Sequence, residues 1–389
     1  MRMVALGEVA EINPRATVIP AAEEVSFVGM AQLGATTGAT EPGTTRRFSE
    51  VSKGYTVFRD GDLLVAKITP CFENGKIGQA RLLHKVGVGS TEFHIVRPGK
   101  CLYDRYLLNF LRQDWVRAQG ELRMTGSAGQ RRVPASYLAE LRIPVPPLDE
   151  QRRIAAILDQ ADALRAKRRQ VIAHLHELAQ SVFLDMFGDP VRNPKQWKMY
   201  RLGDQISSMQ YGPRFYNESY SAEGVRIVRI TDLDQAGRLK FDSMPKMDVS
   251  DDDFRKFCLN PGDIVFARTG ATVGKLALIT GQDPPCIAGA YFIRLKLKDG
   301  VEPEYVAAVL RSRSTQSIIV SGSHQSAQQN FSGPSLRSLP LPLPPNQLQR
   351  QFRTTLAALA KRRASCEYAA SSADTLFASL QSRAFRGEL

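Results

Sequence analysis

The 389-residue sequence predicts an α+β molecule, with two globular domains in tandem repeat separated by two long helices that pair as an antiparallel coiled coil. Three observations predict it. The chain repeats itself at an offset of nearly two hundred residues, a proline-rich segment closes each copy, and past each such segment the apolar residues recur every seven.

The repeat is read from five matches in the same order. Leu6-Gly7-Glu8 stands against Leu202-Gly203-Asp204, and GDLLVAKIT at 61–69 against GDIVFARTG at 262–270. Gly75-Lys76 stands against Gly274-Lys275, and DRYLLNFLR at 104–112 against PEYVAAVLR at 303–311. The fifth pair is PPLDEQRRIAAIL at 146–158 and PPNQLQRQFRTTL at 344–356. One such match is chance; five in order are a duplication. The boundaries they imply are a globular domain over 1–148, a helix over 149–189, a second globular domain over 190–345 and a second helix over 346–389.

Within each half the elements follow one plan. Short β-like runs come first, among them Leu63–Ile68, Ile264–Ala267 and Tyr291–Leu297, bounded by Gly, Pro and Asp. A helix is expected next, at 104–119 and 303–319, then a polar loop, GSAGQRR at 126–132 and GSHQSAQQNFSG at 322–333. IPVPP at 143–147 and LPLPLPP at 339–345 follow. Proline runs lack the donors of a ladder, so these are expected to be stiff polyproline exits rather than sheet.

Past each exit the period is helical. Ile154, Ala161, Arg168, Leu175 and Val182 lie seven apart, with Ile157, Leu164, Val171 and Leu178 interleaved as an a/d pattern. Phe352, Leu359, Cys366, Ala373 and Leu380 repeat the first series 198 residues later. A helix over 149–187 runs roughly 58 Å at about 1.5 Å per residue, longer than one domain of this size covers. Pairing of the two helices is therefore preferred over two amphipathic helices packed each on its own domain.

Composition narrows the function. Hydrophobic residues at 43% and charged residues at 23% are globular proportions, which excludes wholesale disorder. No stretch approaches 18 consecutive apolar residues, and the N-terminus is acidic by Glu8 without a long apolar core, so neither a membrane span nor a signal peptide is expected. Five dispersed cysteines without a CxxC pair support neither a zinc ribbon nor a disulfide framework, and a reduced, cytoplasmic chain is the simple expectation. The formal charge is +13, divided as +5 over 1–148, −1 over 149–189, +5 over 190–345 and +4 over 346–389. Basic globular halves suit a polyanion, with nucleic acid the first candidate, although solvated Lys and Arg give the same total.

With the duplication in hand, the chain resembles the specificity (S) subunit of a type I restriction–modification system along essentially its whole length. The carriers are GDIVFARTG with the following VGK, the proline segment ending in PPLDEQRRI, FLDMFGDP at 183–190 and the terminal LQSRAFRGEL at 380–389. The resemblance implies two target-recognition domains, each reading one half of a split site in double-stranded DNA, with two helices setting the gap. It also implies binding of two methyltransferase (M) subunits, with motor–nuclease (R) subunits joining for restriction. The chain itself would bind no cofactor; the complex would use S-adenosylmethionine, and ATP and Mg with the motor subunit. Two departures stand out. Leu348 replaces the acidic Glu150, and the family's Gln-x-Asn-Ile-Ser-like loop reads Gln328-Gln329-Asn330-Phe331-Ser332 in the second half but Gln130-Arg131-Arg132-Val133-Pro134 in the first.

Arg and Lys read guanine or clamp phosphate, while Asn and Gln read adenine. Candidate DNA-binding residues are therefore Arg46, Arg47, Lys67, Lys76, Gln130, Arg131 and Arg132 in the first domain. In the second they are Arg214, Arg268, Lys275, Gln328, Gln329 and Asn330, with Tyr211 and Tyr216 as stacking groups. At the equivalent pairs Lys67/Arg268 and Lys76/Lys275 a role in the fold competes with DNA contact, and the two tyrosines suit a core as well as a stacking platform. Arg165, Arg168, Arg169, Arg362 and Arg363 on the helices suit a partner interface or plain solvation.

Catalytic patterns fail. GATVGKL at 270–276 is one residue short of a phosphate-binding loop and lacks Ser or Thr after Lys275. Asp62, Glu73 and Lys76 have the wrong spacing for a metal nuclease, and His174 and His176 lie two apart on a helix, facing different sides. The expected chain is non-catalytic. An orphan subunit serving modification only, and a coiled-coil adaptor without DNA readout, are the alternatives. Steep salt dependence marks the DNA reader against the adaptor.

Overall fold

The computed structural model describes residues 2–15, 18–35, 38–127, 129–213, 220–234, 237–323 and 330–389, the side chains of Ala271 and His176 excepted. It divides into two compact units, Met1–Gln170 with Cys366–Leu389, and Val171–Ser365.

The first unit opens with β1 (Met3–Ala5), α1 (Leu6–Val9), β2 (Ala10–Ile12), β3 (Glu24–Val28), β4 (Thr44–Arg47), α2 (Phe48–Val51) and β5 (Thr56–Arg59). It continues with β6 (Leu63–Ala66), β7 (Ile77–Gln79), β8 (Val86–Gly89), β9 (Phe93–Pro98), α3 (Asp104–Leu111), α4 (Asp114–Leu122), α5 (Ala135–Glu140) and β10 (Arg142–Pro144). The long α6 (Leu148–Phe187) then leaves it. Two four-stranded sheets, β2-β9-β6-β7 and β4-β3-β8-β5, and the ladder β1-β10 make up its β structure.

The apolar run of β6 is buried on both faces, and its alternation assigns each side chain to one of two cores. Leu63 and Val65 join Tyr106, Phe110 and Leu138 beneath the helices, while Leu64 and Ala66 join Val28, Phe58 and Phe93 between the sheets. Asp62 immediately precedes the strand. It is buried, accepts the Arg59 amide at 2.7 Å, and takes Nε of Arg97 at 2.8 Å and Nη2 at 2.7 Å.

The second unit repeats this. Its elements are β11 (Lys198–Arg201), β12 (Ile206–Tyr211), β13 (Val225–Val228), β14 (Lys246–Met247), α7 (Asp251–Phe257), β15 (Ile264–Ala267), β16 (Leu276–Leu278), β17 (Cys286–Ala288) and β18 (Phe292–Leu297). The helices α8 (Pro303–Arg311), α9 (Arg313–Ser323) and α10 (Gly333–Arg337), the strand β19 (Pro340–Leu343) and the helix α11 (Asn346–Arg386) complete it. The sheet β12-β18-β15-β16 has the strand order of β2-β9-β6-β7, and the parallel pair β13-β17 corresponds to β3-β8. Ile264 and Phe266 face one core, Val265 and Ala267 the other. Asp263 accepts the Asn260 amide at 2.7 Å and Nε of Arg294 at 2.7 Å, as Asp62 does its own partners. Asp251, Asp252 and Asp253 form the first turn of α7, capped by the Ser250 side chain, which accepts from the Asp253 amide.

Three expectations are corrected. The proline segments are paired strands: β10 lies antiparallel to β1 and β19 to β11. Each is one edge of a two-stranded ladder, and in β19 proline alternates with leucine, so every other residue retains its donor. The single helix expected in each half is broken, α3 from α4 at Gln113 and α8 from α9 at Ser312, both in extended conformation. Gln113 turns its buried amide back to the Phe110 carbonyl at 3.1 Å, and the Ser312 hydroxyl meets Thr315 at 2.9 Å. The interleaved heptad series on α6 is also displaced. Leu164, Val171 and Leu178 are 55%, 47% and 45% exposed, whereas Ile154 and Leu158 are buried. The packed positions therefore follow the Ile154 series at a spacing of four rather than three.

Each unit packs its own parts of the two long helices. In the first, Ile154, Ala155 and Leu158 share a core with Phe377 and Ala384. Arg165 donates to Asp374 at 2.6 Å and to Asp162 at 2.9 Å, and stacks over Phe377 at 4.1 Å. In the second, Phe183 and Phe187 meet Phe352 at ring separations of 5.8 and 5.3 Å.

Candidate nucleic-acid interface

The chain leaves β6 at Lys67 and β15 at Arg268, and at both points the polar loop after the broken helix pair docks on it. In the first unit the Val133 amide donates to the Lys67 carbonyl at 2.9 Å and the Thr69 amide to the Arg131 carbonyl at 2.9 Å. In the second the Phe331 amide donates to the Arg268 carbonyl at 2.8 Å, and Thr269 bridges to Asn330. Val133 and Phe331 are buried, so each loop is plugged into the helix-side core by one apolar residue. Gln130 and Arg131 before the first plug and Asn330 before the second are exposed.

The structure gathers Lys67, Gln130, Arg131 and Arg132 at this point in the first unit. Arg132 grips Glu92 through Nε at 2.9 Å and Nη2 at 2.8 Å, while Arg131 Nη2 reaches Glu73 at 3.0 Å. The Arg132 hydrogen bonds hold the Glu92 carboxyl below the usual range against its partial burial, and the charges of Arg132 and Lys67 add to this. Both arginines are thus already paired with carboxylates, each with over 40% of its side chain exposed. Neither carboxylate was legible as a partner, because each lies 40 or more residues from its arginine.

The other first-unit candidates lie elsewhere. Arg46 and Arg47 are exposed on the edge strand β4, Arg46 stacked 4.2 Å over Phe27. Lys76 donates to the Met30 carbonyl at 3.0 Å and so ties the β6–β7 turn to the loop after β3. Asp62, Glu73 and Lys76 each have a different partner and do not converge.

In the second unit Arg268 stacks 4.9 Å over Tyr211, whose hydroxyl accepts from the Gly333 amide at 3.2 Å. Tyr211 is 43% exposed, and Nε of Arg268 is buried without a hydrogen-bond partner among the described residues. Asn330 sits beside this pair, whereas Lys275 lies at the β15–β16 turn, half-buried. Arg214, Tyr216, Gln328 and Gln329 lie outside the described residues.

Sequence reasoning missed a positioning pair at the helix junctions. Gln151 is fully buried; it accepts the Tyr103 amide at 2.8 Å and donates to the carbonyls of Cys101 at 2.9 Å and Pro146 at 2.8 Å. Gln349 does the same for Glu302 at 3.1 Å and Pro344 at 2.8 Å. The signal was present, since glutamine occupies both copies of the PP-x-x-x-Gln junction.

Comparison with known proteins agrees with this duplicated plan. The model of the type I restriction modification DNA specificity domain matches residues 1–174 and 194–365. The EcoAI specificity subunit of Escherichia coli is 42% identical over 152 residues, 38% of this chain and 26% of that protein. The EcoKI specificity subunit of Escherichia coli K12 is 24% identical over 319 residues, covering 76% of this chain and 68% of that one. The matched part thus spans about a quarter of the length of EcoAI. A chain from a structural study of complex assembly and conformational transition in a type I R-M system superposes over 100% of this chain and 98% of its own, at TM-score 0.62 and 18% identity. The type I S subunit from M. genitalium covers 99% of this chain and 96% of its own, at TM-score 0.56 and 14% identity. These two likenesses concern the fold. Among the described residues no helix is long and apolar enough to cross a membrane.

Proposed function

Because the chain belongs to the type I restriction–modification DNA specificity family, we propose that it is the DNA sequence-recognition subunit of such a complex. Each globular domain reads one half of a bipartite target in double-stranded DNA. The two halves of the target differ, since the loops that would face them differ: Gln130-Arg131-Arg132 in one and Gln328-Gln329-Asn330 in the other.

One observation carries this reading. The same loop is plugged onto the same strand end twice, at Lys67/Val133 and at Arg268/Phe331, with Gln130 and Arg131 exposed beside the first plug and Asn330 beside the second. Arginine and glutamine at such points reach base edges, and lysine and arginine neutralise phosphate. The remaining candidates Arg46, Arg47, Arg214 and Lys275 contact the DNA backbone in this scheme, while Lys76 is held by the Met30 carbonyl.

The long helices, paired antiparallel as a coiled coil, set the gap between half-sites and dock two methyltransferase subunits, which motor–nuclease subunits join for restriction. A stiff helix pair keeps the phase of two readers on B-DNA, which a flexible linker cannot. This chain positions the chemistry and does none of it. Methyl donor, ATP and Mg are bound by the partner subunits.

Co-expression with the methyltransferase subunit, followed by single-molecule mapping of methylated adenines, tests the reading. A two-part motif with a fixed unspecified gap, present only with both proteins, is expected. A continuous short site overturns the two-reader scheme, and a stable complex that methylates nothing marks an adaptor.

A further inference from the structure

The polar loops of the two units differ in charge as well as in sequence. Ile68 bridges to Arg132 in the first unit as Thr269 does to Asn330 in the second. The Glu92 carbonyl accepts the Lys67 amide as the Tyr291 carbonyl accepts the Arg268 amide. Arg132 and Glu92 therefore stand where the second unit has Asn330 and Tyr291. Arg131 stands where it has Gln329, and the turn 269–275, counterpart of the turn that supplies Glu73, contains no acidic residue. Two arginines and two carboxylates are thus exchanged together between the repeats, each cation with its anion.

The pairs engage the two guanidinium groups unequally. Arg132 turns Nε and Nη2 to Glu92 and gives Nη1 to the Gln130 carbonyl at 3.1 Å. Arg131 gives only Nη2 to Glu73, and its Nε and Nη1 make no hydrogen bond among the described residues. A guanidinium held by a carboxylate on one edge still donates from its other N–H groups to a neutral acceptor such as guanine O6 or N7. To a phosphate it is a poor partner, because the carboxylate cancels its charge and repels a second anion brought beside it. A pair without net charge also releases no counterion from the DNA backbone.

We propose that Glu73 and Glu92 are positioning residues that set specificity in the first half-site: they reserve Arg131 and Arg132 for base edges by weakening them as phosphate clamps. The proposal rests on DNA reading by the first domain and names the residues that make it selective. The second loop reaches the same end by composition, since Gln328-Gln329-Asn330 is neutral and needs no acidic partner. Glu92 carries its charge at neutral pH, because the Arg132 hydrogen bonds hold its carboxyl below the usual range.

The test uses the full chain with its methyltransferase subunit and two duplexes, one carrying the motif found by methylation mapping and one of scrambled sequence. Glu73→Gln and Glu92→Gln keep an acceptor oxygen for each arginine and remove only the charge. Each is expected to tighten binding of the scrambled duplex by up to about eight-fold at about 0.1 M salt, with a salt slope steeper by up to about 0.9. The motif should gain less, so that its margin over the scrambled duplex narrows, and narrows at first half-site positions alone. The gain should vanish when Glu73→Gln is combined with Arg131→Ala, and Glu92→Gln with Arg132→Ala. A carboxylate that merely braces the loop gives the opposite sign, so unchanged or weaker binding of the scrambled duplex overturns the proposal. An equal gain on both duplexes, or a gain that persists in the double variants, overturns it as well. A wild-type complex with no preference between the duplexes overturns the DNA-reading function itself, and the proposal with it.

Discussion

At the scale of single residues, the side chains that matter most here are buried polar groups with complete sets of partners. Gln151 makes three hydrogen bonds from a fully buried site, joining the start of α6 to the segment before α3. Gln151→Ala strands one donor and two carbonyls, and should cost on the order of 2 kcal/mol, seen as a lower urea midpoint for the first unit. Arg268 differs in kind: it lies stacked on Tyr211 with Nε unsatisfied among the described residues. Arg268→Ala is expected to weaken DNA binding by about 1–3 kcal/mol and to relax base preference in the second half-site alone. Equal loss of preference in both halves would refute that assignment. The positions of Arg131 and Arg132 were legible from a polar loop in a repeat. Their carboxylate partners were not, because Glu73 and Glu92 are brought to them only by folding.

At the scale of elements, the long helices show what a periodic pattern specifies. The Ile154 and Phe352 series mark the correct rows, since both are buried where they begin. The companion row was misread because after Ile154, Arg168 and Leu175 an apolar residue occurs at both the third and the fourth following position, and sequence spacing does not say which meets a partner. Packing decides: Leu158 is buried and Leu164 is more than half exposed. Leu158→Ala should destabilise the first unit by about 2–5 kcal/mol, whereas Leu164→Gln should stay within about 0.5 kcal/mol in the same denaturation experiment. A large cost at Leu164 would show that it is packed after all. The proline segments teach a related lesson. Their missing donors argue against a central strand, yet a two-stranded ladder asks for donors along one side only.

At the scale of the whole molecule, the charge of +13 makes a test of the functional reading possible. If phosphate contacts drive binding, the logarithm of the affinity should fall linearly with the logarithm of salt, with a slope near −0.9 per phosphate neutralised. A flat salt profile would favour the adaptor. Four residues inserted in 149–187 should add roughly 6 Å of helix and rotate one reader against the other. The methylated motif should then have a longer gap and unchanged half-sites; a map with the original spacing would remove the helices from the role of ruler.

By itself the sequence determined the tandem plan, the strands that begin at Gly-Asp, the helical tracts and the family, because each rests on local order or on recurrence along one chain. Tertiary structure alone decided which loop residues are held by carboxylates, which helix rows are covered, and that the polar loop of the first unit meets a buried histidine where its twin meets an isoleucine. The physical reason is the same in each case. These are contacts between segments distant in sequence, and their energies come from burial and hydrogen-bond geometry that no spacing records.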